Sequence, residues 1–226
     1  MDRKMDFTSN TLITAKALDR DMVSKNNDAR ILDITLILLA APYILVAFLF
    51  LAILVKLDSP GPVFYRQMRI GRFGRKFPVY KFRTMVQNAD QVLQDYLDKS
   101  PELKVEWLAT HKLKQDPRVT RLGGLLRAWS LDELPQIWNI IIGDMSLVGP
   151  RPIVDAEVEK YGKCFELYIQ VRPGLTGLWQ VSGRNNTTYE HRVELDEYYV
   201  RNRSLKLDLQ ILLKTVLVVL KKDGAY

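Results

Sequence analysis

From Ile34 to Val55 the chain carries no charged side chain, a run of 22 residues. As one continuous helix it would be about 33 Å long, close to the thickness of a bilayer's hydrocarbon core. Two features argue against a simple span. Pro42 lies well inside the run, where it deletes a helical hydrogen bond and crowds the preceding turn, so the helix is expected to bend or break there. Basic residues also crowd both flanks: Arg20, Lys25 and Arg30 come before the run, and Lys56, Arg66, Arg69, Arg72, Arg75 and Lys76 after it. Such residues resist translocation, so both ends favour the cytoplasm. A helix broken at Pro42 that dips into one leaflet and returns satisfies these charges, provided the freed carbonyls find partners. Asp33 then lies near the interface. Two other readings stand beside this one: a kinked helix crossing once, and a long buried helix of a soluble core. The expected organisation has three parts. Residues 1–29 form a polar segment without the apolar block of a secretory signal. Residues 30–58 form the membrane-embedded helix, and 59–226 a soluble domain opening at the turn cluster Ser59-Pro60-Gly61-Pro62.

Over 226 residues, 47% hydrophobic and 26% charged side chains suit one compact unit with an appendage and exclude a fibre or a disordered chain. One cysteine, Cys164, excludes an internal disulfide and with it the small stapled secreted class. The net charge of +7 points to polyanions. That charge is local: between Ser59 and Ala89 there is no Asp or Glu, while Arg66, Arg69, Arg72, Arg75, Lys76, Lys81 and Arg83 supply seven positive charges. Next to a membrane element, anionic headgroups explain such a stretch, and a diphosphate explains it as well. Nucleic acid is not an expected partner, because no zinc-finger spacing or RNA-recognition signature accompanies the charge.

The expected fold is mixed α/β and mostly helical, with a small sheet. Val63-Phe64-Tyr65 and Phe77 to Phe82 read as strands of a hairpin around Gly71 and Gly74. Residues 86–108 show an amphipathic helical pattern interrupted at Pro101, and 155–170 and 188–201 read as further helices. The tail 205–220 is densely apolar yet holds Lys206, Asp208 and Lys214, a pattern that suits a helix lying in the membrane interface.

The densest cluster of unusual residues runs from Arg127 to Gln136 and on through Gly143 to Pro152. Its plain structural reading is a capping box, Ser130 with Glu133 three residues on, and Asp132 in the first turn complements the helix dipole. Against that, Pro135 removes an amide just where the helix should establish itself. Adjacent carboxylates also divide labour well, one attacking phosphorus while its neighbour holds a divalent cation. Arg127, five residues before Asp132, supplies further positive charge.

Six blocks then fall in order: Ser59-Pro-Gly-Pro with Lys81-Phe-Arg-Thr-Met85, Asp116-Pro-Arg-Val-Thr120, Leu131-Asp-Glu-Leu-Pro-Gln136, Gly149-Pro-Arg-Pro152, Arg172-Pro-Gly-Leu-Thr-Gly177 and Gln180-Val-Ser-Gly-Arg184. Together they resemble the bacterial sugar transferase family, monotopic polyprenyl-phosphate sugar-1-phosphate transferases, over about residues 28 to 226. The tail from Gly183 onward looks most like the undecaprenyl-phosphate galactose or glucose phosphotransferases. The resemblance implies a re-entrant membrane helix and a small catalytic domain on the cytoplasmic face of the bacterial inner membrane. It also implies transfer of a hexose-1-phosphate from a UDP-sugar to undecaprenyl phosphate, with UMP leaving. Asp132 would be the nucleophile, forming an aspartyl phosphosugar intermediate. Glu133 would bind Mg2+ and Arg127 would assist. Lys81, Arg83, Arg151, Arg172, Gln180 and Arg184 match substrate-binding motifs. Membrane lipid is a further partner, and a homo-oligomer is compatible with the pattern. Ala41-Pro42 departs from the family's usual Ser-Pro, which removes one side-chain hydroxyl from the expected break. Large relatives carry further membrane helices and a domain ahead of this unit, so the chain resembles the minimal catalytic form.

Other candidates are weaker. His111 and His191 lack paired metal-ligand spacing. Cys164 reads as a packed thiol. Asp144, Asp196 and Asp208 read as capping or supporting carboxylates, and Gly174, Gly177 and Gly183 as turn residues. Two functions of other classes remain in view: a non-catalytic membrane scaffold that binds anionic lipid, and a metal phosphodiesterase that uses the same acidic pair with water.

Overall fold

The computed structural model describes residues 7–110, 113, 115–183 and 187–221, with side chains from Ser24 onward apart from 101, 106 and 108–110. The first element, α1, is one helix from Phe7 to Asp58 that contains Pro42. It crosses the boundary expected at residue 30 and stops where the Ser59-Pro60-Gly61-Pro62 turn begins. The chain stays helical through Pro42, so it does not break there, and a bend at Pro42 leaves that helix continuous. Proline removes one amide, and a helix of this length survives that loss when packing holds it on both sides. Ile37 packs with Phe77, Val79, Ile140 and Met145. Further along, Leu51 and Val55 pack with Phe82 and Leu126. Between these contacts Leu38, Leu39, Tyr43, Val46 and Phe50 are exposed. Among the described residues this is the one helix long and apolar enough to cross a membrane.

Strands β1 (Phe64–Ile70) and β2 (Lys76–Phe82) form the expected antiparallel hairpin, with Tyr65 opposite Lys81. Its turn needs left-handed backbone at Phe73 (φ 60°) and Gly74 (φ 71°), and Phe73 donates its amide to the Ile169 carbonyl at 2.7 Å. Two helices follow, α2 (Ala89–Leu97) and α3 (Pro101–Thr110). Pro101 opens the second, where its absent N–H is not needed. Helix α4 (Arg121–Ala128) is capped by the Thr120 hydroxyl, which accepts from Gly123 N. Helix α5 (Gln136–Ile142) ends on Gly143, whose φ of 93° favours glycine.

Strands β3 (Ser146–Val148) and β4 (Gly174–Thr176) pair in parallel. Gly149 N donates to Thr176 O and Gly174 N to Pro150 O, at 2.9 and 2.8 Å. A Cβ on Gly149, Gly174 or Gly177 would collide with the backbone opposite, so Gly174 and Gly177 serve close approach rather than turns. The helix expected over 155–170 is broken into short turns around α6 (Val158–Tyr161) and α7 (Phe165–Tyr168), with Gly162 in the left-handed region (φ 49°) between them. Helix α8 (Tyr189–Asn202) is capped by Thr188, and α9 (Leu205–Lys221) closes the described chain. Ile211 of α9 packs with Val148, Val171, Tyr199 and Val200, while Leu209, Leu213, Val216, Leu217 and Leu220 are exposed.

Candidate active site

The acidic pair sits on a single tight turn, Leu131–Glu133, between α4 and α5. The capping box is not formed: Ser130 is left-handed (φ 55°) and its side chain caps nothing. Instead Ser130 N closes onto Arg127 O and Glu133 N onto Ser130 O, which reverses the chain. Pro135 then immediately precedes α5, where a missing amide costs no helical hydrogen bond. The turn buries Asp132, which is 8% exposed.

Strand β2 brings Lys81 to this turn. Its ammonium lies 2.6 Å from Glu133 Oε1 and 3.6 Å from Asp132 Oδ2. Asn139, fully buried in α5, fastens the two elements: its Nδ2 donates to Pro78 O at 2.7 Å and its Oδ1 accepts from Tyr80 N at 3.2 Å. In the last turn of α4, Arg127 Nε donates to Thr84 Oγ1 at 2.9 Å. Burial raises the pKa of Asp132 above the usual aspartate value. Lys81 and Arg127 oppose the shift and Glu133 adds to it. Arg127 is itself lowered, by burial first.

A small cleft lies beside Glu133, walled by Arg69, Lys81, Glu133, Gln136, Arg151 and Gln180. The close glycine packing of β3 on β4 sets Arg151 and Gln180 on one wall. Arg151 lies over the Trp179 ring at 5.9 Å. Gln180 Nε2 donates to Leu175 O at 2.9 Å, and its Oε1 is buried with no hydrogen-bond partner among the described residues. Arg69 Nη1 donates to Pro152 O at 3.1 Å and lies 3.5 Å from Glu157. Positive charge thus surrounds two adjacent carboxylates.

Among the described residues no three metal-ligating side chains gather. The acidic pair nonetheless fits Mg2+, which is bound through one or two carboxylates with substrate phosphate oxygens and water completing the shell. The Lys81 ammonium already holds a positive charge against Glu133.

Of the expected site residues, Asp132, Glu133, Lys81, Arg127, Arg151 and Gln180 come together. Two others are placed elsewhere. Arg83 is 9% exposed and donates through Nη2 to Ser59 O at 2.6 Å and Ser59 Oγ at 2.9 Å, clamping the turn after α1. Arg172 Nε donates to Gly143 O at 2.8 Å, at the far end of α5. Arg184 and His111 lie outside the described residues. His191 is on the α8 surface beside Glu194, and the Cys164 thiol donates to Glu197 Oε2 at 3.0 Å, which raises its pKa. Arg69, Gln136, Thr84 and Asn139 were not expected at the site. Gln136 and Thr84 do stand inside recognisable motifs, whereas Arg69 was one of seven basic residues and nothing local marked Asn139.

Residues 25–222 match the family described as bacterial sugar transferase. The chain belongs to that family. It is 52% identical over 166 residues to an undecaprenyl-phosphate galactose phosphotransferase of Salmonella typhimurium, covering 74% of this chain and 35% of that protein. It is 51% identical over 183 residues to a UDP-galactose-lipid carrier transferase of Erwinia amylovora, covering 81% of this chain and 38% of that protein. It is also 48% identical over 197 residues to the exopolysaccharide production protein ExoY of Sinorhizobium fredii, covering 87% of each. The sugar transferase therefore spans little more than a third of the first two relatives and most of the third.

Proposed function

We propose that this sugar transferase moves a hexose-1-phosphate from a UDP-sugar to undecaprenyl phosphate, releasing UMP, as a membrane step of polysaccharide assembly. The observation that carries the reading is the buried Asp132 beside Glu133, both met by Lys81, where Glu133 and Lys81 line a small cleft that Arg69 and Arg151 also wall. A carboxylate approaches an anionic anhydride only where fixed cations offset the repulsion. In the first half-reaction an Asp132 oxygen attacks the sugar-bearing phosphorus, the anhydride P–O bond breaks, and UMP leaves with the electron pair. In the second, a phosphate oxygen of the lipid attacks the same phosphorus and the aspartyl bond breaks, restoring Asp132. Lys81 and Arg127 hold Asp132 in its ionised form, and Arg69 and Arg151 orient the donor phosphates. When bound at Glu133, Mg2+ supplies charge that neutralises phosphate oxygens.

Packing supports the membrane reading. Ala29 and Ile37 near one end of the uncharged run and Leu51 and Val55 near the other are buried against the same domain. Both flanks of the run are held by one domain, which supports α1 bending at Pro42 and dipping into one leaflet from the cytoplasmic face of the inner membrane. The exposed apolar face of α9 lies in the same interface.

The test is Asp132→Asn with UDP-galactose or UDP-glucose, undecaprenyl phosphate and Mg2+. UMP release is lost, and the wild type incubated without acceptor carries a sugar phosphate on Asp132 by peptide mass spectrometry. Full turnover in the variant would remove Asp132 from the chemistry. Free sugar phosphate as the product without acceptor would identify a phosphodiesterase instead.

A further inference from the structure

The far end of α5 carries a second group of cations, remote from the acidic pair. Arg30 of α1 donates through both amino nitrogens to the carbonyls of Ile140 and Ile141, the latter at 2.7 Å. Arg172 Nε donates to Gly143 O at 2.8 Å, and Arg72 at the hairpin turn donates through Nε to Gln170 O at 3.1 Å. Those bonds hold the guanidiniums but use only Nε of Arg172 and Arg72. The remaining amino groups of both make no hydrogen bond among the described residues, and none of the three arginines forms a salt bridge among them.

The nearby carboxylates act on this charge only from a distance and form no salt bridge with Arg30, Arg72 or Arg172 among the described residues. Asp33 accepts from Ser146 Oγ at 2.8 Å and from Leu147 N at 2.9 Å. Asp208 accepts from the Tyr199 hydroxyl at 2.7 Å. Arg203 lies buried behind them, donating to Asn26 Oδ1 at 2.7 Å, and adds a fourth positive charge. The pKa of Arg172 is lowered, by burial first and then by Arg72 and Arg30, with Asp33 opposing them, so the one carboxylate acting on Arg172 does not outweigh the burial and the neighbouring cations.

The surroundings say where that anion comes from. The uncharged run of α1 begins one turn after Arg30. On α5, Trp138, Ile141 and Ile142 are 58%, 43% and 51% exposed, and Phe73 beside Arg72 is 68% exposed. Apolar side chains beside unpaired guanidinium N–H groups match the boundary between acyl chains and phosphates. The geometry points to a phospholipid-phosphate site formed by Arg30, Arg72 and Arg172 at the end of α5, separate from the catalytic cleft, which seats an anionic lipid headgroup. It rests on α1 lying in the bilayer and not on the reaction proposed above.

The experiment is native mass spectrometry of the full chain released from detergent micelles doped with phosphatidylglycerol or with phosphatidylcholine. The wild type retains phosphatidylglycerol preferentially. Arg72→Gln and Arg172→Gln each lower that retention about fivefold, and the pair about thirtyfold, at roughly one headgroup contact per arginine. Lys214→Gln leaves it unchanged. Arg72→Gln, altered at an exposed turn, keeps the test open if Arg172→Gln does not fold. Equal retention in the variants overturns the site, and so does binding of inorganic phosphate that competes at equal concentration. A raised KM for UDP-sugar in Arg172→Gln with lipid retention intact would return Arg172 to the donor site. Failure of the wild type to insert into phosphatidylcholine vesicles would instead strike the membrane reading itself.

Discussion

The two ends of α5 hold opposite arrangements of charge. Before its first turn stand Asp132 and Glu133, and both are met by Lys81 within 3.6 Å. Beyond its last turn stand Arg30 and Arg172, bonded to carbonyls and met by no carboxylate in a salt bridge among the described residues. The helix dipole accounts for the signs, since acids suit the start and bases the end. It does not account for the pairing. At the first end a lysine lies against a buried carboxylate and opposes the rise in its pKa. At the second the positive charge is only partly offset, by Asp33 at a distance, and an anion from outside the chain can take the rest. Charge of the expected sign is thus ordinary at a helix end, and what identifies a working site is whether the partner is already present.

The largest expected effect probes the paired end. Lys81→Met should lower turnover by about 10²- to 10³-fold, the usual cost of losing one charge that stabilises a reacting group. The pH profile adds a sign. Asp132 already has a raised pKa, and losing Lys81 raises it further, so the acid limb moves to higher pH. A limb that stays in place or moves lower would break the claim that Lys81 keeps Asp132 charged.

Asp196 sharpens the same point about pairing. It is buried, accepts from the Tyr161 hydroxyl at 2.7 Å, and burial pushes its pKa up to about 6 despite Arg192 and Arg151 nearby. A carboxylate whose folded pKa is raised binds more protons folded than unfolded. Its protonation therefore stabilises the fold below the ordinary aspartate pKa, and that stabilisation fades as pH rises through about 6. The amplitude is about 3 kcal/mol. Chemical denaturation of Asp196→Asn at several pH values should show this slope removed, and an unchanged slope would assign it elsewhere.

Smaller effects test the frame that carries both ends. Asn139→Ala leaves the Pro78 carbonyl and the Tyr80 amide without their partner, so it should cost about 2 kcal/mol by denaturant titration and weaken turnover by displacing Lys81. Arg30→Gln withdraws the cation from the α5 carbonyls and should cost about 1 kcal/mol, less in high salt, read as a small drop in Tm. A salt-independent loss there would mean that Arg30 acts by packing.

Much of this was legible along the chain. The hairpin, the turn after α1 and the split at Pro101 follow from periodicity and turn residues, the acidic pair with Arg127 from their spacing, and Lys81 from the family resemblance alone. Reading failed where the deciding contacts are distant in sequence. Pro42 promised a bend or break, and packing at Ile37 and at Leu51 and Val55 keeps α1 helical through it. Ser130 promised a capping box, but the left-handed residue there turns the chain so that Asp132 is buried against Lys81. Arg83 and Arg172 stand in the same motifs as true cleft residues, and only the fold sends one to the Ser59 turn and the other to the end of α5.

The sequence by itself determined the uncharged run, the abundance of cations and the adjacent carboxylates, because these are properties of composition and local order. Tertiary structure decided which cation meets which anion. Electrostatic pairing depends on distances of a few ångströms between residues that lie far apart along the chain, and local pattern carries no record of them.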